Sequence, residues 1–341
     1  MLRVIVLDNH KKNKLDEILS ILPVVEKINL KSEADFYGAS YMVSKKIQLN
    51  SQPKSPVGWK HGWLHANLKY KEQLTIGSNA LRFLVPLKRD ELFLRERGIS
   101  AKAVGMPFIY ISDVETKNIK RVKNSLLVMP PHSLPYTEHA WNEESYAKRI
   151  LALKDEFDLI VVCIHQSCVV KKLWTEVFDR YNIPWVIGAD AQDKNSLLRI
   201  YRLFSSFEYL TTNVIGSHVV YGAYCGCKVS IFGKYAEFSK EDYKNDSFYQ
   251  RFPFLLEYNL SYTTRESIAK KFPFLFVHPK EATTKIEWAK QELGEENKVS
   301  FEELSRLLGW GYGDQLLWFF KRVYIKLSSK FFTYKRKRNI S

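Results

Sequence analysis

Residues 209–233 constrain this chain more than any other stretch. Tyr209 to Ile215 is rich in β-branched and aromatic residues and reads as a strand, which Gly216-Ser217 interrupts. Ser217 suits a helix N-cap, Val219 to Cys225 carries helical spacing, and Gly226 suits the left-handed position that ends a helix. Lys228 to Phe232 follows as a short apolar strand closed by Gly233. Strand, helix and strand joined this tightly imply a parallel crossover, hence a sheet with helices laid on its faces. A helix that begins directly off a strand aims its free N–H groups and positive dipole end beyond the sheet edge. Thr212, Ser217 and His218 add side-chain donors there, and together they make an anion site of phosphate grade. An ordinary crossover with a capping serine has the same local chemistry, so the surrounding order of elements must decide.

That order is regular through the second half. Ser125 to Met129 reads as a strand, followed by Pro130-Pro131-His132-Ser133 and a loop with Tyr136, Thr137 and His139. Asn142 caps a helix predicted to reach Phe157, with Glu143 and Glu144 in its first turn as the dipole prefers. Asp158 to Ile164 is an apolar core strand ending at His165-Gln166-Ser167, and Val169 to Tyr181 a helix. Pro184 to Ile187 is another buried strand, which runs into Gly188 and Asp190. Asn195-Ser196 then caps a helix to Phe207. Alternation of this kind is the mark of a doubly wound parallel sheet, which binds ligands at the C-terminal ends of its strands. His132, Ser133, His165, Gln166, Ser167, Thr212, Gly216, Ser217 and His218 all fall at that edge, and we take them as the candidate binding residues.

The first half is less regular. Leu2 to Leu7 predicts a strand ending at Asp8, then a helix from Lys14 to Leu22, a strand from Val25 to Leu30 and a helix around Asp35 to Ser44. Residues 58–64 place Lys60 and His61 between Gly58 and Gly62 and between Trp59 and Trp63, the composition of a substrate loop or equally of a packed aromatic plug. Gln73 to Ile76 predicts a strand, Asp90 to Arg97 a helix, and Ala101 to Tyr110 a strand. The polar, basic run from Val114 to Asn124 reads as a connection between domains. The expected division is 1–113, 124–300, and a closing helical segment with a basic tail at 301–341.

The four cysteines stand in apolar contexts without zinc spacing, and the N-terminus has no cleavable leader pattern, so a reduced cytoplasmic protein is expected. Of the net charge of +15, about half lies in residues 321–341, which hold eight Lys and Arg and no acid. The helix expected from Asp314 onward is aromatic on much of its surface. With the cations after it, it predicts association with an anionic membrane surface through 314–341. Charge gathered in a tail, with no base-reading motif, argues against nucleic acid as the partner.

Two Rossmann-like halves, the second with an anion site at its strand ends, resemble the GT-B glycosyltransferases. Within them, the pieces are similar to enzymes that use CMP-activated acidic sugars such as sialic acid and Kdo in bacterial surface polysaccharide synthesis. Those enzymes carry an apolar strand ending in His-Pro and, later, a serine pair at a helix start. Here Val161 to His165-Gln166 stands at the first position, with Gln for Pro, and Ser217-His218 at the second, with His as its second member. A literal His278-Pro279 follows the serine site instead of preceding it. The glutamate that UDP- and GDP-sugar enzymes of this fold put in the corresponding helix has no counterpart, since 216–226 contains no acid. Trp59 to Trp63 and Val104 to Pro107 also look like polymer-building transferases, CDP-glycerol enzymes included.

The resemblance implies a metal-independent transferase with no cofactor beyond its nucleotide-sugar donor. Its acceptor would be a glycan or lipid-linked molecule at the inner face of the cell membrane. His165, Ser217 and His218 would hold the donor phosphate with Thr212 in support. The catalytic group would come from the first half, from His61, Asp8 or Asp35. A pyruvyl- or glycerophosphotransferase acting on cell-surface polymers is the alternative enzyme class, and a nucleic-acid-binding α/β protein the third reading.

Overall fold

The computed structural model describes residues 8–74, 80–133, 137, 141–320 and 323. The expected strand at Leu2 to Leu7 therefore lies outside the described residues, as do Tyr136, His139 and most of the basic tail.

Two parallel sheets organise the chain. The smaller has three strands, β1 (Gly58–Trp59), β2 (Phe83–Val85) and β3 (Ala101–Ala103), in that order. The larger is built from β4 (Val122–Val128), β5 (Leu159–Ile164), β6 (Trp185–Ile187), β7 (Phe207–Thr212) and β8 (Lys228–Ile231). Its spatial order is β6-β5-β4-β7-β8, parallel throughout. The chain winds outward from β4 through β5 to β6, crosses back by way of the helix Ser196–Ser206, and winds the other way through β7 to β8. This is a doubly wound Rossmann-like order, and its reversal point lies between the C-terminal ends of β4 and β7. The mixed α/β architecture with parallel sheets in both halves is the one expected and is consistent with a GT-B arrangement.

Alternation along the central strands explains why both faces of the larger sheet are covered. Leu127, Val161 and Cys163 face one apolar cluster, while Leu126, Val128, Val162 and Ile164 face another built on Tyr146, Trp174 and Phe178. The first cluster does not stop at the larger sheet. It runs from Leu15 and Ile18 through Trp59, Leu84 and Phe108 to Phe301, Leu304 and Leu308, so both sheets share one core. The segment after residue 300 returns to the first half, where the Ser55 hydroxyl donates to the Leu308 carbonyl at 2.7 Å.

Several local expectations are corrected. Val25 to Leu30 makes only an isolated bridge, Lys27 to Asp193, because Arg199 and Asn195 hold this segment through the carbonyls of Pro23 and Val24. Lys71–Gln73 is a 3-10 turn, with residues 75–79 outside the described residues. The strand expected over Ala101 to Tyr110 ends at Ala103. Gly105 takes φ +75°, and Pro107–Asp113 winds into a 3-10 helix. The helix expected from Val169 to Tyr181 is two pieces, Gln166–Val170 and Thr175–Arg180. They are broken at Trp174, whose φ of 69° lets its indole donate to the Pro131 carbonyl.

Candidate functional site

The anion turn forms with one change of role. Gly216, not Ser217, takes the N-cap position of the helix Ser217–Tyr224, which has no side-chain cap, so its first-turn N–H groups and dipole face outward. The Ser217 Oγ instead accepts from the backbone N–H of Trp63 at 2.9 Å. A Cβ on Gly216 would lie 2.9 Å from Cε1 of His218, so glycine makes room for that ring. His218 Nε2 lies 3.0 Å from the hydroxyl of Thr212, itself fully buried at the end of β7.

Two more imidazoles arrive from neighbouring strand ends. His132 follows β4, and its ring centroid is 4.9 Å from that of His165, which follows β5. His132 is also within electrostatic reach of His218, and the strand order β5-β4-β7 sets all three histidines around the reversal point of the sheet. Burial holds His165 and His218 down at about 3, with His132 adding to both shifts. His165 caps the helix Gln166–Val170, its Nδ1 accepting the Ser167 N–H at 3.2 Å. With Nδ1 so used, the ring proton sits on Nε2, which is buried and has no hydrogen-bond partner among the described residues. A buried donor left unpaired costs free energy that an incoming anion would recover. The same donors do not make a metal set: among the described residues no group of three His, Cys, Asp or Glu is arranged to hold an ion.

The remaining strand-end residues hold this frame. The Ser167 hydroxyl donates to the Ser133 carbonyl at 2.6 Å, and Lys171 Nζ donates to the Ser133 hydroxyl at 2.9 Å. Gln166 donates its backbone N–H to the Ala189 carbonyl at 3.2 Å, tying the end of β5 to that of β6. His278 lies elsewhere. It caps the turn Pro279–Glu281, beside Glu156 at 3.6 Å, and Lys280 from that turn reaches Asn124 among the strand starts.

The first half closes over the strand ends. Residues 60–65 leave β1 at its C-terminal end and reach the helix Ser217–Tyr224 through two bonds, Trp63 to Ser217 and the Tyr221 hydroxyl to the His61 carbonyl at 2.9 Å. The C-terminal edges of the two sheets therefore meet here. Tyr221 also stacks on Phe108 at 4.1 Å. The turn at Phe36 to Gly38 wedges against the loop after β6. Tyr37, at φ 58°, donates its N–H to the Ala191 carbonyl at 2.9 Å, and a Cβ on Gly38 would sit 1.9 Å from the Lys194 carbonyl oxygen. The His61 ring stacks on Phe36 at 4.8 Å, and burial, with Lys60 adding, lowers it to about 3. It is neutral at pH 7 and a weak base.

The two carboxylates named from sequence sit apart from this junction. Asp8 is an exposed N-cap for the helix Asn9–Ile21, whose Lys14 pairs with Asp158 at the opposite edge of the larger sheet, before β5. Asp35 is buried and saturated: Lys31 and Ser32 donate to one oxygen, Ser40 and Gln52 to the other, at 2.6–2.9 Å. Four donors fill its acceptor positions and make it a structural clasp.

A different carboxylate was missed. Asp90 lies in the helix Lys88–Arg95, just after β2, on the same strand-end edge as Lys60. Only 6% of the residue is exposed, and among the described residues its carboxylate makes no hydrogen bond, with Arg89 Nε the nearest cation at 3.9 Å. Burial raises it to about 6, against the opposing charges of Arg89 and Lys60, and Lys60 is lowered to about 8 by its own burial. The signal that would have found Asp90 is the short strand at Phe83–Val85, which puts the residue at a strand end instead of merely at a helix start.

Fold and site define an α/β protein with a doubly wound sheet whose reversal point carries imidazoles and the uncapped start of a helix. No family model matches the chain, and no curated protein does. Among solved structures, the chain is similar to the pneumococcal O-GlcNAc transferase GtfA in complex with UDP and GlcNAc, at 12% identity and a TM-score of 0.31. The match covers 74% of this chain and 51% of that one, so the chain spans about half the length of that protein.

Proposed function

We propose that this protein is a glycosyltransferase that moves a sugar from a nucleotide donor to a hydroxyl of a glycan or lipid-linked acceptor, with a CMP-linked acidic sugar such as Kdo as the favoured donor. One observation carries the reading: His132, His165 and His218 converge at the reversal point of a doubly wound sheet, with the Nε2 of His165 buried and without a partner among the described residues. The donor phosphate would accept hydrogen bonds from the His165 Nε2–H and from the open N–H groups of the helix Ser217–Tyr224, with Gly216 allowing close approach. A bound dianion reverses the burial effect on the rings, raising their pKa and turning them into better donors as charge grows on the leaving phosphate. The lack of an acid in 216–226 suits an acidic sugar on a monophosphate.

In the transfer, the acceptor oxygen forms a bond to the anomeric carbon as the bond from that carbon to the donor phosphate breaks. The acceptor proton passes to a base, and the nucleotide leaves. Asp90 fits the base better than His61 does: raised to about 6, it is ionised at neutral pH yet holds a proton far better than an ordinary aspartate. His61, held near 3 and stacked on Phe36, fits the role of a wall that orients the acceptor.

The test is ligand screening by thermal shift followed by turnover assays. CMP, CDP, UDP and GDP are compared, then CMP-Kdo, CMP-sialic acid and CDP-glycerol with lipid-linked acceptors. Stabilisation by CMP and sugar transfer from a CMP donor support the reading. Turnover with CDP-glycerol or phosphoenolpyruvate and none with nucleotide sugars assigns the protein to the alternative class. No stabilisation by any nucleotide overturns the donor site.

A further inference from the structure

Residues 312–320 and 323 are helical, and among the described residues much of the apolar side of this helix is uncovered. Tyr312 is 92% exposed, Leu316 58%, Leu317 60%, Phe319 59%, Phe320 64% and Val323 39%. The spacing of 316, 319, 320 and 323 puts those four side chains on one stripe of the helix, and Leu317 widens it. The exposure is not that of a loose end at the point of attachment. Arg82 Nη2 grips the Asp314 carboxylate at 3.0 and 3.2 Å, and Gln315 Nε2 donates to the Lys54 carbonyl at 2.9 Å. The helix is fastened to the first half at its base, and its apolar stripe begins one residue later. In sequence the stripe runs into Lys321, Arg322, Lys326, Lys330 and Lys335 to Arg338, with no acid before the terminus.

We propose that the stripe of Leu316, Phe319, Phe320 and Val323 docks in the interfacial layer of an anionic lipid bilayer, with the cations that follow it in sequence against the lipid headgroups. Aromatic and leucine side chains beside a run of Lys and Arg are what such a layer takes up: apolar groups at the acyl boundary, cations at the phosphates. A second copy is the poorer occupant. Pairing two stripes would draw together two tails of eight cations each. A spanning mode does not fit either, because among the described residues no helix is long and apolar enough to cross a membrane. The site attaches the protein in parallel to the sheet edges and does not depend on what reaction they perform.

The experiment is co-sedimentation of the full chain with vesicles of phosphatidylcholine alone and of phosphatidylcholine with 30 mol% phosphatidylglycerol, roughly the anionic content that gives a strong surface potential. Wild type should bind the anionic vesicles at low salt and release as salt rises. Phe319→Ser with Phe320→Ser, exposed positions whose change should leave the melting temperature in place, should lower binding by about tenfold or more. Deleting 326–341 is the second variant and should lower anionic binding while leaving nucleotide stabilisation as it was. Wild type that ignores anionic vesicles overturns the proposal. So does serine-variant binding equal to wild type, which would leave only tail charge at work. A dimer in solution that the serine pair dissolves would assign the stripe to a second copy and also overturn it.

Discussion

The backbone N–H of Trp63 donates to the hydroxyl of Ser217 at 2.9 Å, and this one bond joins the loop leaving the first sheet to the helix leaving the strand ends of the second. It explains why Ser217 is not the cap that its place in the sequence suggests, since its oxygen is already used across the junction. The same contact brings the Tyr221 hydroxyl under the His61 carbonyl and sets Trp63 among His65, Phe272 and Trp288.

Ser217→Ala should therefore act on both stability and binding. Leaving the Trp63 N–H without its acceptor should cost roughly 1–3 kcal/mol in chemical unfolding. Nucleotide affinity should fall with it, because the junction that presents the helix end loosens. A variant that loses affinity while keeping full stability would show that the serine serves only the ligand.

His165→Ala should weaken nucleotide binding by roughly 1–3 kcal/mol, the range for losing a hydrogen bond to a charged group. His165→Gln is the informative companion, since its longer side chain can keep an amide donor near the place of Nε2 without the ring. Calorimetric titration with CMP and CDP reads both. Equal affinity in wild type and His165→Ala, with folding intact, would remove this residue from the donor site.

Asp90→Asn separates chemistry from stability. The folded carboxyl is raised from 3.8 to about 6, so the folded state holds the proton more tightly than the unfolded one. Ionised Asp90 therefore costs stability above pH 6, a cost relieved as pH falls from 6 towards 4. Removing the charge should stabilise the protein at pH 8 by about 2–3 kcal/mol. The same change should lower turnover by roughly 10²–10⁴-fold, and wild-type kcat/KM should fall as pH drops through about 6. Unchanged turnover with raised stability would make Asp90 a strained core group and nothing more.

The histidines predict acid sensitivity of the opposite sign. His61, His165 and His218 are each held near 3, against 6.5 when unfolded. Below pH 6.5 the unfolded chain takes up protons that the folded chain does not. Stability is thus complete above 6.5 and declines towards 3, by about 1.4 kcal/mol per pH unit for each ring. Urea unfolding between pH 4 and 7 checks this. His61→Asn or His218→Asn should flatten the profile by one ring's share.

Much of the larger sheet was legible because its signals are local. Leu159–Ile164 is an unbroken apolar run bounded by turn residues, Asn142 and the acids after it announce a helix, and Gly226 at φ +85° ends one as its place in the chain suggests. Strands that alternate with helices at short spacing must lie parallel, and their loops must share an edge. That alternation alone sets His132, His165 and Ser217-His218 on one side. What the chain could not announce was decided by packing between distant segments. Asp35 looks free in sequence and is saturated by Ser40 and Gln52, which fold back onto it. Asp90 looks like an ordinary first-turn acid, yet it is 6% exposed and among the described residues its carboxylate makes no hydrogen bond. The convergence of three imidazoles is likewise tertiary: strand order, not chain order, sets β4 between β5 and β7 and so places His132 between His165 and His218. Periodicity and turn chemistry act over a few residues and are written in the chain, whereas desolvation and hydrogen-bond supply at a site depend on every segment that closes over it.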